Sequence, residues 1–332
     1  MLAVSHSRFG PGADVAELVE VAEPAAPQAG EALIGLQAAP INPGDLLRFE
    51  GRYGNTAASL PLFAGGEGIA RVLAVGPGVR RVKVGDLVLV HQYFFKVGAW
   101  RQRILAPVDR LIPVPEADLL QLSMLTVNPA TALLMLTEFV DIADGDSVVQ
   151  NAANSAVGHW LIKLAAIRNV KLINVVRRED AAAELRAAGA GIVLIDGPDL
   201  AERIADVTNG RLPRLAIDAI AGSATQRLGS SVAECGTVVN YGLLSGEPCQ
   251  IAARDTVFRD VTLRGFWLQR WWMDSTPEQI SEIYAYLGKL VAGGDLSVPI
   301  EATYPLAEIK AALAHSARPH RTGKIVLTMQ AT

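Results

Sequence analysis

Hydrophobic and polar positions follow two different patterns along this chain, and the change falls near residue 122. Before it, short apolar runs such as Ala32–Ala38, Gly68–Val75 and Asp86–Val90 are separated by Gly/Pro punctuation. Gly76-Pro77-Gly78 and Val84-Gly85-Asp86 read as turns between strands, and helical periodicity is scarce. This predicts a β-rich first domain. From about residue 123, apolar strands alternate with helices: Ser147–Asn151, Val157–Arg168, Leu172–Val176, Asp180–Ala188, Ile192–Ile195, Leu200–Thr208, Leu215–Ala219, Thr225–Ala233 and Thr237–Tyr241. The strands are apolar almost throughout, as burial on both faces of a parallel sheet requires. A helix at Pro277–Ala292 is expected to close this domain. The tail carries a helix, Leu306–His315, and a strand, Lys324–Met329, expected to return to the first domain. The fold class is therefore α/β, with one domain at 1–122 joined by 296–332 and a second at 123–295.

Composition narrows the function classes. With 30 basic and 34 acidic residues, the net charge of −4 leaves no cationic surplus for a nucleic-acid backbone. A local basic cluster still suffices for a small anionic ligand. Cys235 and Cys249 imply no disulfide framework and cannot build a four-cysteine zinc site. Met1–Arg8 lacks the charged and apolar regions of a secretory signal. No stretch of about 18 apolar residues suggests a membrane span, so the cytoplasm is the expected location.

Strand Ser147–Asn151 leads through Ala152-Ala153-Asn154-Ser155-Ala156-Val157-Gly158 into a helix, where a βαβ unit carries its G-x-G-x-x-G turn. Small residues there let a pyrophosphate reach backbone N–H groups at the helix start. Ala153, Ser155 and Gly158 occupy the three glycine places, so an ordinary tight turn is the other reading of this stretch. The second strand ends at Val176-Arg177-Arg178, about 20 residues on, where NAD enzymes place an acid for the ribose 2′-hydroxyl and NADP enzymes an arginine. Guanidinium can grip the 2′-phosphate bidentately. The alternative is two solvated arginines at a strand end. Glu179 and Asp180 suit the first turn of the following helix.

In the first domain, Ile41-Asn42-Pro43-Gly44-Asp45 precedes Gly51-Arg52-Tyr53-Gly54 and Pro61-Leu62-Phe63-Ala64-Gly65-Gly66-Glu67-Gly68. Tyr53, between small residues, can present a phenol that hydrogen-bonds a carbonyl oxygen or gives a proton to an enolate. Without further context, turn or packing is the commoner role for such a tyrosine. Asp45 is expected to cap the helix that follows. No H-E-x-x-H, G-x-S-x-G or G-x-x-x-x-G-K-[ST] motif occurs, and His6, His91, His159, His315 and His320 lack metal-ligand spacing.

Several pieces together resemble a known group: Asn42-Pro43-Gly44-Asp45, Gly51-Arg52-Tyr53-Gly54, Val127-Asn128-Pro129-Ala130-Thr131-Ala132, 144–152, Asn174-Val175-Val176-Arg177 and Gly265-Phe266-Trp267-Leu268. They are similar to the 2-enoyl thioester reductases (trans-2-enoyl-CoA reductases of the mitochondrial type). This is a zinc-free branch of the medium-chain dehydrogenase/reductase superfamily beside the quinone oxidoreductases. The resemblance runs in order from about residue 30 to 329. It implies a GroES-like substrate domain, a Rossmann domain, NADPH as hydride donor and a homodimer. Zinc-dependent relatives place Cys near Asn42 and His at Gly66; neither ligand is present, and Glu67 remains as a structural acid.

Carried over by matching motif, Tyr53 is similar to the family's active-site tyrosine and Asn128 to an asparagine near the cofactor. Asn154, Ser155, Ala156 and Val157 match the pyrophosphate turn, with Ala156 in place of the usual glycine. Arg177 and Arg178 match the 2′-phosphate site. The resemblance sets Tyr241, Gly242, Leu243 and Leu244 beside the nicotinamide ribose, and Phe266, Trp267 and Leu268 beside the nicotinamide. Lys324 matches another cofactor contact. Trp271 and Trp272 are read on a strand, where they line an acyl channel or a dimer interface, the two being compatible on opposite faces.

The implied reaction is hydride transfer from NADPH to the β-carbon of an α,β-unsaturated thioester, with Tyr53 assisting at the enolate and proton step. A quinone or enone reductase is the alternative, since residues 90–103 depart from the family picture. A third possibility is an NADPH-binding protein without turnover. The expected partner is a small acyl thioester or quinone, not a nucleic acid.

Overall fold

Strand-forming runs and helix-forming runs segregate in space as they do in sequence. The structure, a computed structural model, describes residues 1–53, 59–91, 97–319 and 321–329. Gly54, residues 92–96 and His320 lie outside the described residues. The chain divides into two compact units, Met1–Val127 with Ser275–Thr332, and Asn128–Asp274.

The first unit begins with β1 (Leu2–His6), α1 (Gly12–Val15), β2 (Glu17–Glu20), β3 (Glu31–Pro40), α2 (Pro43–Phe49), β4 (Leu62–Phe63), β5 (Glu67–Val75), β6 (Leu87–His91), β7 (Arg103–Pro107), β8 (Ile112–Val114) and α3 (Leu119–Leu122). The second unit holds α4 (Asn128–Thr137), β9 (Ser147–Gln150), α5 (Ala156–Ile167), β10 (Lys171–Val176), α6 (Glu179–Ala187), β11 (Ile192–Ile195), α7 (Leu200–Val207), β12 (Leu215–Asp218), α8 (Ser223–Ser231), β13 (Thr237–Asn240), α9 (Ala253–Arg259), β14 (Thr262–Gly265) and α10 (Leu268–Asp274). The chain then returns to the first unit with α11 (Pro277–Ala292), β15 (Ile300–Pro305), α12 (Ile309–Ser316) and β16 (Lys324–Thr328).

In the first unit, β15-β16-β3-β5-β6-β8 form one sheet with β7 on β3, and β2-β1-β4 form a small second sheet. The tail enters through β16, which runs antiparallel to β3 with Val326 opposite Pro40. One core unites Val4, Ile34, Val72, Val88 and Trp100 with Leu313 and Leu327 of the tail. Long connections of this kind fix the C-terminal strand where the sequence brings Lys324.

The second unit is a six-stranded sheet, β11-β10-β9-β12-β13-β14, in which every recorded pairing is parallel. Side chains alternate across it: in β10, Val175 joins the cluster with Leu200, Ile204 and Leu228, whereas Val176 joins that of Ala181 and Leu185. The order of strands reverses direction between β9 and β12, which opens a crevice at their carboxyl ends. This is the Rossmann arrangement, and the antiparallel-rich first unit is its separate companion.

Two expectations are corrected. Helix α11 packs in the first unit, not against the parallel sheet. Its Tyr284 hydroxyl donates to the Thr126 carbonyl at 2.7 Å, and Gln121 exchanges two 3.0 Å hydrogen bonds with Val298 just beyond it. The unit boundaries therefore fall at Val127 and Ser275 instead of 122 and 296. Second, Trp271 and Trp272 lie on helix α10, not on a strand. Adjacent helical residues are about 100° apart, so the two rings do not occupy opposite faces of a sheet.

Candidate coenzyme and active site

The turn after β9 is shaped by close approach. Ser155 caps α5, its hydroxyl accepting the Gly158 N–H at 3.1 Å. This leaves other N–H groups of the first turn for an anion. At Gly158 an added Cβ would stand 2.2 Å from the Ala153 carbonyl oxygen, so only glycine lets the helix pack on the turn. Asn154 is exposed, Ser155 and Ala156 are half-buried, and Val157 packs inward. One of the three glycine places thus has a steric reason to be glycine, and it is the one that is.

Tyr241 follows β13 and hydrogen-bonds Ser155; burial pushes its phenol above the ordinary range, and the charge of Asp218 adds to this. The strand-end residue and the pyrophosphate turn, far apart in sequence, thereby meet. Gly242 is again tight, with a Cβ site 2.6 Å from the Ala219 carbonyl oxygen, while Leu243 and Leu244 are exposed. Beneath them lies a buried carboxylate that sequence reasoning missed. Asp218 Oδ1 accepts from Asn151 Nδ2 at 2.5 Å and from the Ile220 N–H at 2.9 Å. Its Oδ2 accepts from the Thr225 hydroxyl at 2.6 Å and from Asn240 Nδ2 at 3.0 Å. Asn151 Oδ1 in turn accepts the Ala219 N–H at 2.8 Å. This network fixes the ends of β9, β12 and β13 at the crevice. An Asp ending an otherwise apolar strand was the available signal.

At the end of β10, Arg177 is exposed, and Arg178 stands at the N-terminal boundary of α6, its Nε donating to the Asp180 carboxylate at 2.9 Å. Phe266 meets Phe139 edge-on with centroids 5.9 Å apart, Trp267 is exposed, and Leu268 is buried. Asn128 is buried at the start of α4. Ser155, Arg177, Arg178, Tyr241, Gly242 and Phe266 all follow carboxyl ends of parallel strands, the edge at which such sheets bind ligands.

In the first unit, a buried polar cluster supports Tyr53. Glu67 accepts from Asn42 Nδ2 and the Thr126 hydroxyl, each at 2.7 Å, and from the Val127 N–H at 2.9 Å. Lys324 donates its ammonium to the Ile41 carbonyl at 3.1 Å and to Asn42 Oδ1. Burial pushes the Glu67 and Asp45 carboxyls up and brings Lys324 down to about 8, the shifts being opposed by their mutual attraction. Asp45 does act as a cap, from inside α2: its carboxylate accepts the Asn42 N–H at 2.8 Å. Tyr53 follows this framed helix and its ring rests against it, 3.1 Å from a Cβ site at Gly44 and with the Arg48 guanidinium 4.6 Å from the ring centroid. At Gly66, where zinc-dependent relatives carry His, a Cβ would come 3.0 Å from Asp45 Oδ1. Among the described residues, no group of three or more His, Cys, Asp or Glu could hold a metal ion.

Two family models match this chain. Residues 28–116 match the model described as alcohol dehydrogenase GroES-like domain, and residues 156–285 match zinc-binding dehydrogenase. The human mitochondrial enoyl-(acyl-carrier-protein) reductase is 36% identical over 98% of this chain and 88% of its own length. A Bacillus thuringiensis structure, provisionally assigned as an NADPH:quinone reductase, is 30% identical with TM-score 0.88 over 99% of each chain. The mitochondrial 2-enoyl thioester reductase heterodimer of Candida tropicalis has the same fold, with TM-score 0.86 at 23% identity over 98% of this chain and 99% of its own. No helix among the described residues is long and apolar enough to cross a membrane. The chain belongs to the family of the mitochondrial enoyl-(acyl-carrier-protein) reductases, within the medium-chain dehydrogenase/reductase superfamily.

Proposed function

We propose that this protein is an NADPH-dependent reductase of 2-enoyl thioesters. The observation that carries the proposal is the 36% identity, over 98% of this chain, to an enoyl-(acyl-carrier-protein) reductase, joined to a dinucleotide turn whose one glycine is sterically required. The residues fit the coenzyme. Gly158 and Gly242 are cradles that a Cβ would fill, Ser155 stands at a helix N-terminus, and Arg177 offers a guanidinium where the 2′-phosphate of NADPH belongs. In this reading Asn154, Ser155, Ala156 and Val157 hold the pyrophosphate, and Arg177 and Arg178 hold the adenosine phosphate. Tyr241, Gly242, Leu243 and Leu244 serve the nicotinamide ribose, Phe266, Trp267 and Leu268 the nicotinamide, and Asn128 and Lys324 are further coenzyme residues.

When bound, NADPH supplies hydride to the β-carbon of the substrate. Negative charge then gathers on the thioester oxygen. Tyr53 donates its phenolic O–H to that oxygen and aids proton delivery to the α-carbon. The capping of α2 by Asn42 and Asp45, braced by Glu67 and Lys324, orients the helix against which the Tyr53 ring rests. We also infer a homodimer joined at β14, the edge strand of the parallel sheet, where all four residues are exposed and Phe258 nearby is 80% exposed.

The test follows NADPH oxidation with crotonyl-CoA and longer enoyl-CoA for the wild type and Tyr53→Phe. Loss of the phenolic proton is expected to lower kcat by about 10²-fold. Unchanged turnover removes Tyr53 from catalysis. The likeness to the Bacillus protein favours quinone reduction as a second reading. Turnover of quinones without turnover of enoyl thioesters selects it.

A further inference from the structure

The end of β11 brings an acid to the place where coenzyme choice is made. Ile195 pairs in register with Val176, and the Asp196 N–H donates to the Val176 carbonyl at 2.7 Å. Asp196 thus lies one strand spacing, about 4.8 Å, from the strand end that projects Arg177 and Arg178. A bare carboxylate there would do what the acid of an NAD enzyme does: accept from a ribose 2′-hydroxyl and repel a 2′-phosphate. It is not bare. Arg227 of α8 grips it as a fork, Nε to Oδ1 at 2.7 Å and Nη2 to Oδ2 at 2.5 Å, and steadies itself on the Ser223 hydroxyl at 3.1 Å. The two side chains are 27% and 11% exposed for Arg227 and Asp196, so solvent screens the pair only in part.

The surrounding acids are engaged in the same manner. Glu179 takes Arg186 at 2.6 Å and Asp180 takes Arg178 at 2.9 Å. Of the guanidinium groups at 177, 178, 186 and 227, the last three pair with the carboxylates at 180, 179 and 196 respectively. One positive charge is left over, and Arg177 has no ion pair among the described residues.

We propose that the Asp196–Arg227 pair determines coenzyme specificity, Arg227 neutralising a carboxylate that would otherwise favour the unphosphorylated coenzyme. The proposal deepens, and rests on, the assignment of this strand end to the adenosine ribose phosphate. Arg227 is a positioning and neutralising residue, not a phosphate ligand: both forks of its guanidinium are spent on Asp196 and Ser223. Removal of its charge alone unmasks Asp196, and removal of both charges restores neutrality. A purely structural tie between α8 and β11 would have no such charge dependence.

The experiment measures Kd for NADPH and for NADH by quenching of protein fluorescence in the full chain. The variants are Arg227→Leu, Asp196→Asn and the double variant. Arg227→Leu is expected to weaken NADPH about ten-fold and NADH less than about two-fold, as an unmasked, partly screened carboxylate at short range dictates. Asp196→Asn should bind NADPH at least as tightly as the wild type, and the double variant should return to within about three-fold of it. Equal weakening of both coenzymes in Arg227→Leu, or no recovery in the double variant, overturns the proposal. If Arg227→Leu does not fold, Asp196→Asn decides alone: weaker NADPH binding contradicts the proposal, and equal or tighter NADPH binding supports it. Arg177→Ala serves as the separate control. If it weakens both coenzymes equally, the ribose-phosphate assignment itself fails.

Discussion

At Gly158 a single methyl group decides whether the helix can sit on its strand. Its Cβ site lies 2.2 Å from a backbone oxygen and 2.6 Å from the attached carbon of Ala153, neither of which can swing aside. Gly158→Ala is therefore expected to destabilise the chain by about 1–3 kcal/mol, the usual cost of overpacking, and to weaken NADPH by shifting the N–H groups of the turn. Urea denaturation and coenzyme titration check both effects. An alanine variant as stable as the wild type would show that the turn can yield. At the same scale, Ala153 and Ser155 hold the other two glycine places without strain: Ser155 adds a capping hydroxyl, and Ala153 is fully buried. A motif search that demanded three glycines would have passed over a site that needs only one.

Elements carry the next level of the account. In β14 every residue is exposed, Leu263 by 39%, and strand-edge amides on a sheet of this kind are open to pairing. If a second copy covers this edge, a variant with Leu263→Lys and Phe258→Lys should sediment at single-chain mass while the wild type sediments at twice that mass. Equal masses for the two would refute pairing at β14. The alternation of apolar strands and amphipathic helices made the parallel sheet legible in sequence, because burial on two faces leaves a continuous apolar run. Helix α4 was not legible: nine of its ten residues are buried, from Asn128 to Leu136, so it has no polar face and no period to detect. Helix α10 was mistaken for strand because Trp271 and Trp272 are strand-favouring residues whose helical state is set by tertiary context. The Asp218 and Glu67 networks were hidden for another reason. Their partners, such as Asn151 and Thr126, lie about sixty residues away along the chain.

Across the whole molecule, three histidines share one electrostatic condition. Burial lowers the pKa of His6, His91 and His159, most of all His91. His6 packs 4.7 Å from Phe49, and neither of its ring nitrogens finds a partner among the described residues. The folded chain keeps these rings neutral where the unfolded chain takes up protons. The unfolded state thus binds more protons as pH falls through about 6.5. The stabilising contribution is complete above that pH and is lost below it. The buried Glu67 and Asp45, with raised pKa, act with the opposite sign. His6→Phe isolates the histidine part: Tm is expected to fall less between pH 7.5 and 5.5 in the variant than in the wild type. Identical slopes would exclude His6 as an acid-sensitive group.

The most direct measurement uses NADPH carrying deuterium at the transferable position of its nicotinamide, with crotonyl-CoA as acceptor, and mass spectrometry of the product. Deuterium at the β-carbon of butyryl-CoA, together with a solvent-derived proton at the α-carbon, is the expected result. Oxidation of the labelled coenzyme with no label in a saturated thioester, or with the label at the α-carbon, would contradict it.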